Sequence, residues 1–193
     1  MTLRAAVAAD VDQIARLHAE QIDEGFLTSL GLPFLRRLYA RILQSDDCFV
    51  VVALDDDAVT GFVAGVADLR ALYRRFVLRD GLGAAVRCAP RLLHNLPRVV
   101  ETLRYPEAVA DLPSAEILAV AVSSRQWGTG IGRSLVRAAV DEFRSRSIKA
   151  AKVVTTSDND RALAMYRGAG FISAARVEMH AGRSSEVLVW TQP

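Results

Sequence analysis

The chain is short of cysteine, of long apolar runs and of net charge, and each shortage closes off a class of protein. Cys48 and Cys88 are the two cysteines among 193 residues, and their separation fits no metal-ligand spacing. Two lone cysteines without a secretory leader read as reduced thiols, so a cytoplasmic location is expected. The start, Met-Thr-Leu-Arg-Ala-Ala, has no hydrophobic signal core, and no run reaches the roughly 18 apolar residues of a membrane span. A net charge of +2 is too small to imply a nucleic-acid partner, and none is expected. The sequence shows neither an internal repeat nor a low-complexity tract.

What is present is ordinary globular composition, 51% hydrophobic and 24% charged, at a length that suggests one domain over 1–193. The densest information lies between Ala115 and Gly132, AEILAVAVSSRQWGTGIG. Glu116 to Ser123 is apolar except at its ends, with β-branched Val120 and Val122, and it stops at Ser123-Ser124. Such a run reads as a strand buried on both faces. After the glycines, Leu135, Val136, Ala139, Val140 and Phe143 recur at helical spacing, which predicts a helix from about Gly130 to Arg146.

Strand, glycine loop and helix together make an anion site. The first turn of a helix has backbone N–H groups without internal partners, and the helix dipole adds partial positive charge there. Glycines let the backbone approach a ligand closely, so a pyrophosphate fits the nest. A Walker loop would end in Gly-Lys-Ser/Thr; this one ends Gly132-Arg133-Ser134. A dinucleotide fingerprint needs G-x-G-x-x-G, and here the third glycine comes one residue early. A nucleotide-binding enzyme using the same loop remains the weakest alternative.

The stretch resembles the coenzyme A loop of the GNAT acetyltransferases, an apolar strand ending in Val, a short link and Arg-Gly-x-Gly-Ile/Leu-Gly. Val122 ends the strand, and the loop reads Trp127-Gly128-Thr129-Gly130-Ile131-Gly132. Trp127 stands where the family usually has Arg or Gln. Arg125-x-x-Gly128-x-Gly130 fits in a shifted register, but its distance from Val122 is less suitable. A second block, Asn159-x-x-Ala162-x-x-Met165-Tyr166-x-x-x-Gly170-Phe171, matches the family pattern after its fifth strand, here Ala151 to Thr156. Asp158 is the expected N-cap of that helix, and Gly168 and Gly170 end it. The likeness is strong over Ser114 to Gln192 and weak over Thr2 to Ala67.

The resemblance implies an α/β fold: a mixed, mostly antiparallel central sheet of about six to seven strands flanked by helices. It implies acetyl-CoA as co-substrate, with no metal. Val120, Ala121 and Val122 would pair with the pantetheine arm like an added strand. Trp127, Gly128, Thr129, Gly130, Ile131, Gly132 and Arg133 would hold the phosphates, and Asn159 the cofactor arm. An N–H of the strand would polarise the acetyl carbonyl. Glu116 is the catalytic base candidate, because AEILAVAV resembles the AEI-x-x-x-AV strand of the histone acetyltransferase branch. An acid at the mouth of a buried strand is expected to have a raised pKa; a solvated strand-end glutamate is the competing reading. Tyr166 matches the tyrosine that protonates the leaving sulfur. Reaction would proceed by direct attack in a ternary complex.

The rest of the chain supplies a frame. Thr2 to Val7 reads as a first strand. Asp10 is expected to cap a helix carrying Val11, Ile14, Ala15, Leu17 and Ile22. Gln21 to Thr28 reads as a polar linker, and Leu30 to Leu43 as a second helix with Pro33 in its first turn. Glu20, Asp23 and Glu24, between these helices, are candidates for contacting an amine. Cys48 to Leu54 and Ala58 to Ala67 read as a hairpin across Asp55-Asp56-Asp57, with Gly61 and Gly65 marking a bulge or a close approach. Phe171 to Met179 and Glu186 to Thr191 form a last strand pair around Gly182, with Trp190 in the core.

Residues 69–105 depart from a compact family member and form a helical insertion before the fourth strand. It carries eight arginines, Arg70, Arg74, Arg75, Arg79, Arg87, Arg91, Arg98 and Arg104, against Asp80 and Glu101. A basic amphipathic segment suits a solvated lid, an acidic ligand, a membrane surface or a partner, and its apolar stripe suits a homodimer. His94 within it reads as packing or surface. The function expected is transfer of acetyl from acetyl-CoA to a primary amine, on a small molecule or a protein. The alternative is a catalytically silent CoA-binding regulatory domain acting through the arginine-rich insertion.

Overall fold

The computed structural model describes residues 1–22, 26–72, 112–179 and 183–192. A seven-stranded sheet in the order β1-β2-β3-β4-β5-β7-β6 carries helices on both faces. The strands are β1 (Thr2–Ala5), β2 (Cys48–Asp55), β3 (Ala58–Val66), β4 (Ala115–Val122), β5 (Ala150–Thr156), β6 (Ile172–Met179) and β7 (Arg183–Thr191). Every neighbouring pair is antiparallel except β4–β5. The helices are α1 (Val11–Gln21), α2 (Phe26–Ser29), α3 (Leu32–Leu43), α4 (Ile131–Ser145) and α5 (Asp160–Arg167). The mixed, mostly antiparallel sheet expected from the sequence is the one found.

The period of two along β2 shows how the layers form. Val50 and Val52 join a core with Ile14, Leu35, Tyr39 and Phe62, under α1 and α3. Phe49, Val51 and Ala53 join the opposite core with Val63, Leu135, Val136, Phe143 and Trp190, under α4 and α5. Fully burying each Val, Leu, Ile or Phe side chain among these contributes about 1.5–3 kcal/mol. The α4 stripe expected from spacing, Leu135, Val136, Ala139, Val140 and Phe143, is buried throughout, and so is Trp190.

Gly65 is a close approach: a Cβ on it would stand 2.3 Å from the Phe49 ring. The register of β3 against β4 also shifts there. Gly65 faces Ile117 and Ala64 faces Ala119, so Leu118 is an extra residue in β4.

Several local expectations need correction. Strand β1 ends at Ala5 because the chain turns to form a 3-10 turn, Ala8–Asp10. Asp10 does not cap α1 with its side chain. Its carboxylate reaches back to the Val7 N–H at 2.8 Å and takes both arms of Arg4, at 2.7 and 2.9 Å. The Arg4 guanidinium, above all, holds the Asp10 carboxyl below its ordinary range. Helix α3 starts at Leu32, behind Gly31 at φ +89°, and the expected polar linker contains α2. Residues 69–72 are helical, while the rest of the proposed insertion, with Cys88 and His94, lies outside the described residues. Asp23, Glu24 and the turn at Gly182 also lie outside them. Among the described residues no helix is long and apolar enough to cross a membrane.

Candidate acyl-carrier site

Strand β4 has two halves. Ala115, Glu116 and Ile117 pair in parallel with Ala151, Lys152 and Val153. Beyond Ile117 the strands part: Ala119 to Val122 keep β3 as a partner, and Val154 to Thr156 keep β7. Among the described residues the β4 edge toward β5 therefore has no strand partner from Leu118 to Val122, and a wedge opens between the two C-terminal strand ends. Val120, Ala121 and Val122 line that edge, where an extended ligand can add hydrogen bonds like another strand.

The wedge ends on the glycine loop. A short 3-10 turn, Ser124–Gln126, follows β4, and the backbone then swings through Gly128 at φ +81° and Gly130 at φ +90°. Both values lie in the left-handed region that glycine enters without strain, and no described residue stands within 4 Å of where a Cβ would project from either. Gly130, at the N-cap of α4, has no side chain with which to cap it. Its first internal bond is Ser134 N–H to Gly130 C=O at 3.1 Å. Among the described residues, the Ile131, Gly132 and Arg133 N–H groups have no backbone acceptor. With the helix dipole behind them they form an anion cradle.

The loop side chains divide by task. Ile131 is buried, so it can face a ligand only through its amide. The Thr129 hydroxyl donates to Gln126 C=O at 2.7 Å, inside the loop. Trp127 donates its indole N–H to Val122 C=O at 2.9 Å, tying loop to strand. Gly132 allows α5 to close on α4, since a Cβ there would sit 2.8 Å from Met165 Sδ.

Helix α5 is capped by Asn159, not by Asp158 as expected: Asn159 Oδ1 accepts the Ala162 N–H at 3.0 Å. Capping leaves the Asn159 NH₂ as the group able to turn toward a cofactor. Tyr166 packs edge-on against Phe171, with ring centroids 6.0 Å apart, and burial raises its pKa. Its phenol therefore keeps the proton at neutral pH, as an acid donor must. Arg167 meets Glu186 at 2.8 Å and fastens the end of α5 to β7.

Glu116 was expected at a strand mouth. It lies instead in the closed half of β4, 7% exposed, with Lys152 Nζ at 3.2 Å. Lys152 is itself 2% exposed and also donates to Pro113 C=O. Sequence reading passed over Lys152, although a lysine inside the apolar run AAKVVTT was a visible signal of a buried partner. It also passed over His18. The His18 ring stacks on Phe62 and meets the Tyr39 hydroxyl at 2.6 Å, and burial lowers its pKa to about 4. Glu20 stands exposed on the last turn of α1. Among the described residues no group of His, Cys, Asp and Glu is arranged to hold a metal ion.

Comparison with known proteins places this geometry. The model of the acetyltransferase (GNAT) family matches residues 14–171. No curated protein matches the chain in sequence. Solved structures share its fold at low identity. The ribosomal-protein-alanine N-acetyltransferase of Brucella melitensis is 17% identical at a TM-score of 0.66, covering 100% of both chains. A variant of the spermidine N-acetyltransferase of Vibrio cholerae is 15% identical at 0.63, covering 99% of this chain and 95% of that one. A chain of the NatC complex bound to a Gag peptide and CoA is 15% identical at 0.64, covering 100% and 98%. The sheet that parts at β4–β5, the bare head of α4 and the family match over most of the length agree: this chain belongs to the acetyltransferase (GNAT) family.

Proposed function

We propose that the protein transfers the acetyl group of acetyl-CoA to a primary amine by direct attack in a ternary complex. The observation that carries this reading is the wedge between β4 and β5 ending on the unpaired amides at the head of α4. Gly128 to Arg133 would take the diphosphate, and the β4 edge from Val120 to Val122 the pantetheine arm. The bulge at Leu118 turns backbone groups out of the ladder next to where the thioester would lie, which suits polarisation of its carbonyl. The amine nitrogen bonds to the thioester carbon, the C–S bond breaks, and the thiolate takes the Tyr166 proton. The amine loses its own proton to a base or to water.

For that base the geometry supports two readings. Glu116 can serve as the proton acceptor, the role its strand motif suggests. Alternatively, the Glu116–Lys152 ion pair pins β4 to β5 where the wedge begins, a reading favoured by the burial of both partners. A pH–rate profile separates them. Glu116→Gln abolishes the rising limb of kcat/KM if Glu116 is the base. It leaves that limb and lowers stability if the pair is a pin.

Thiol release from acetyl-CoA across an amine panel tests the reaction. Tyr166→Phe should lower kcat about 100-fold while acetyl-CoA still binds. Tight acetyl-CoA binding without turnover on any amine would sink the transfer reading and favour a silent CoA-binding domain. The acceptor class, small molecule or protein, follows from which amines are consumed.

A further inference from the structure

Trp127 is 51% exposed, yet its ring is held in place. Its Nε1 is tied to Val122 C=O on one side, and Arg161 Cζ lies 4.2 Å from the ring centroid on the other. Trp127 belongs to the loop after β4, and Arg161 to the first turn of α5, after β5. The two strands have parted by then, so the stacked pair spans the open end of the wedge. Met165 lies one helical turn beyond Arg161, on the same face of α5, and packs against Gly132. The Arg161–Met165 stripe thus runs beside the head of α4.

Arg161 is exposed, and among the described residues its guanidinium meets neither a carboxylate nor a hydrogen-bond acceptor. Its N–H donors are unspent, while the indole face restrains where the charge can sit. A guanidinium so held next to an anion cradle matches a phosphate group in charge and in fork geometry.

We propose that Trp127 and Arg161 form a phosphate clamp on the acyl carrier, with Arg161 donating to a phosphate of CoA and Trp127 holding the guanidinium in place. The clamp rests on the acetyl-CoA reading above. CoA offers two phosphate sources, the diphosphate and the 3′-phosphate of the ribose.

Titration of CoA and of dephospho-CoA, which lacks the 3′-phosphate, distinguishes them. Trp127 reports binding by the change in its emission, while Trp190, the other tryptophan, is buried beside Ala151 in the closed half of the sheet and adds a constant background. Arg161→Ala should raise Kd about tenfold. It should raise KM for acetyl-CoA in proportion, leave kcat at saturation unchanged, and keep the wild-type thermal midpoint. Equal weakening of both ligands assigns the contact to the diphosphate, and weakening of CoA alone assigns it to the 3′-phosphate. Arg161→Lys should recover part of the loss, as a point charge without the fork. Trp127→Phe keeps a ring but removes the Nε1 donor, and calorimetry should show about threefold weaker binding. Unchanged affinity of Arg161→Ala for both ligands overturns the clamp and leaves the acetyl-CoA reading standing. Failure of the unsubstituted protein to bind either ligand overturns the underlying reading instead.

Discussion

The two halves of β4 are built from similar apolar residues and end up in opposite situations. Glu116 and Ile117 have strands on both sides, Ala115 pairs with β5, and the one charged side chain of the three is buried against Lys152. Leu118 to Val122 have a strand on one side, an extra residue at Leu118, and a free edge on the other. Buried backbone groups need partners. The closed half finds them in its neighbouring strands, whereas in the open half, among the described residues, Val122 C=O is met by the Trp127 indole and the rest of the edge is open to a ligand. A strand edge of this kind is usually blocked by proteins, because it invites pairing with other chains. Here it lies within the sheet, where only something narrow enough to enter the wedge can reach it.

The largest effect is expected at the closed half. Lys152→Met removes the cation beside the buried Glu116 carboxylate and should cost about 3–5 kcal/mol in chemical denaturation. The double variant Glu116→Leu with Lys152→Met should recover most of that. If the single variant proves harmless, the pair does not hold the apex of the wedge.

Behind the open half, Phe62 sits opposite Ala121, and His18 stacks on Phe62. The folded protein keeps His18 neutral down to pH about 4, whereas the unfolded chain protonates it near 6.5. The unfolded state therefore binds more protons in that window, and stability is lost as pH falls through it. About 2 kcal/mol should disappear between pH 7 and pH 5. His18→Phe should flatten the profile, measured as urea midpoints against pH.

The smallest effect is expected at the rim. Gly130→Ala meets no atoms but must hold φ near +90°, which costs an L-residue about 1–2 kcal/mol. Acetyl-CoA affinity should fall by up to about tenfold, read by titration. An unchanged affinity would show that the cradle tolerates another backbone path.

The strands, helices and glycine loop were legible because each leaves a local trace. The α4 stripe repeats at helical spacing, the β2–β3 hairpin brackets Asp56 and Asp57, and the two motifs fall in order. The caps were less legible. Asp10 and Asp158 are good capping residues by type, yet Asp10 serves Arg4 and Val7, and Asn159 caps α5. Which of two adjacent polar residues caps a helix depends on backbone angles that residue type does not specify. Glu116 was legible as a candidate and illegible as half of an ion pair, because Lys152 is its neighbour only through the parallel register.

Taken alone, the sequence determined the strands and the longer helices, their order, the anion-binding loop and the family to which these belong, but not α2. Periodicity, glycine placement and motif spacing act over a few residues and need no knowledge of the fold. Only the tertiary structure decided where β4 and β5 part, which charges meet, and that Trp127 faces Arg161. Those outcomes depend on the register and splay of strands far apart in the chain, which hydrogen-bond pairing and packing settle only once the sheet has formed.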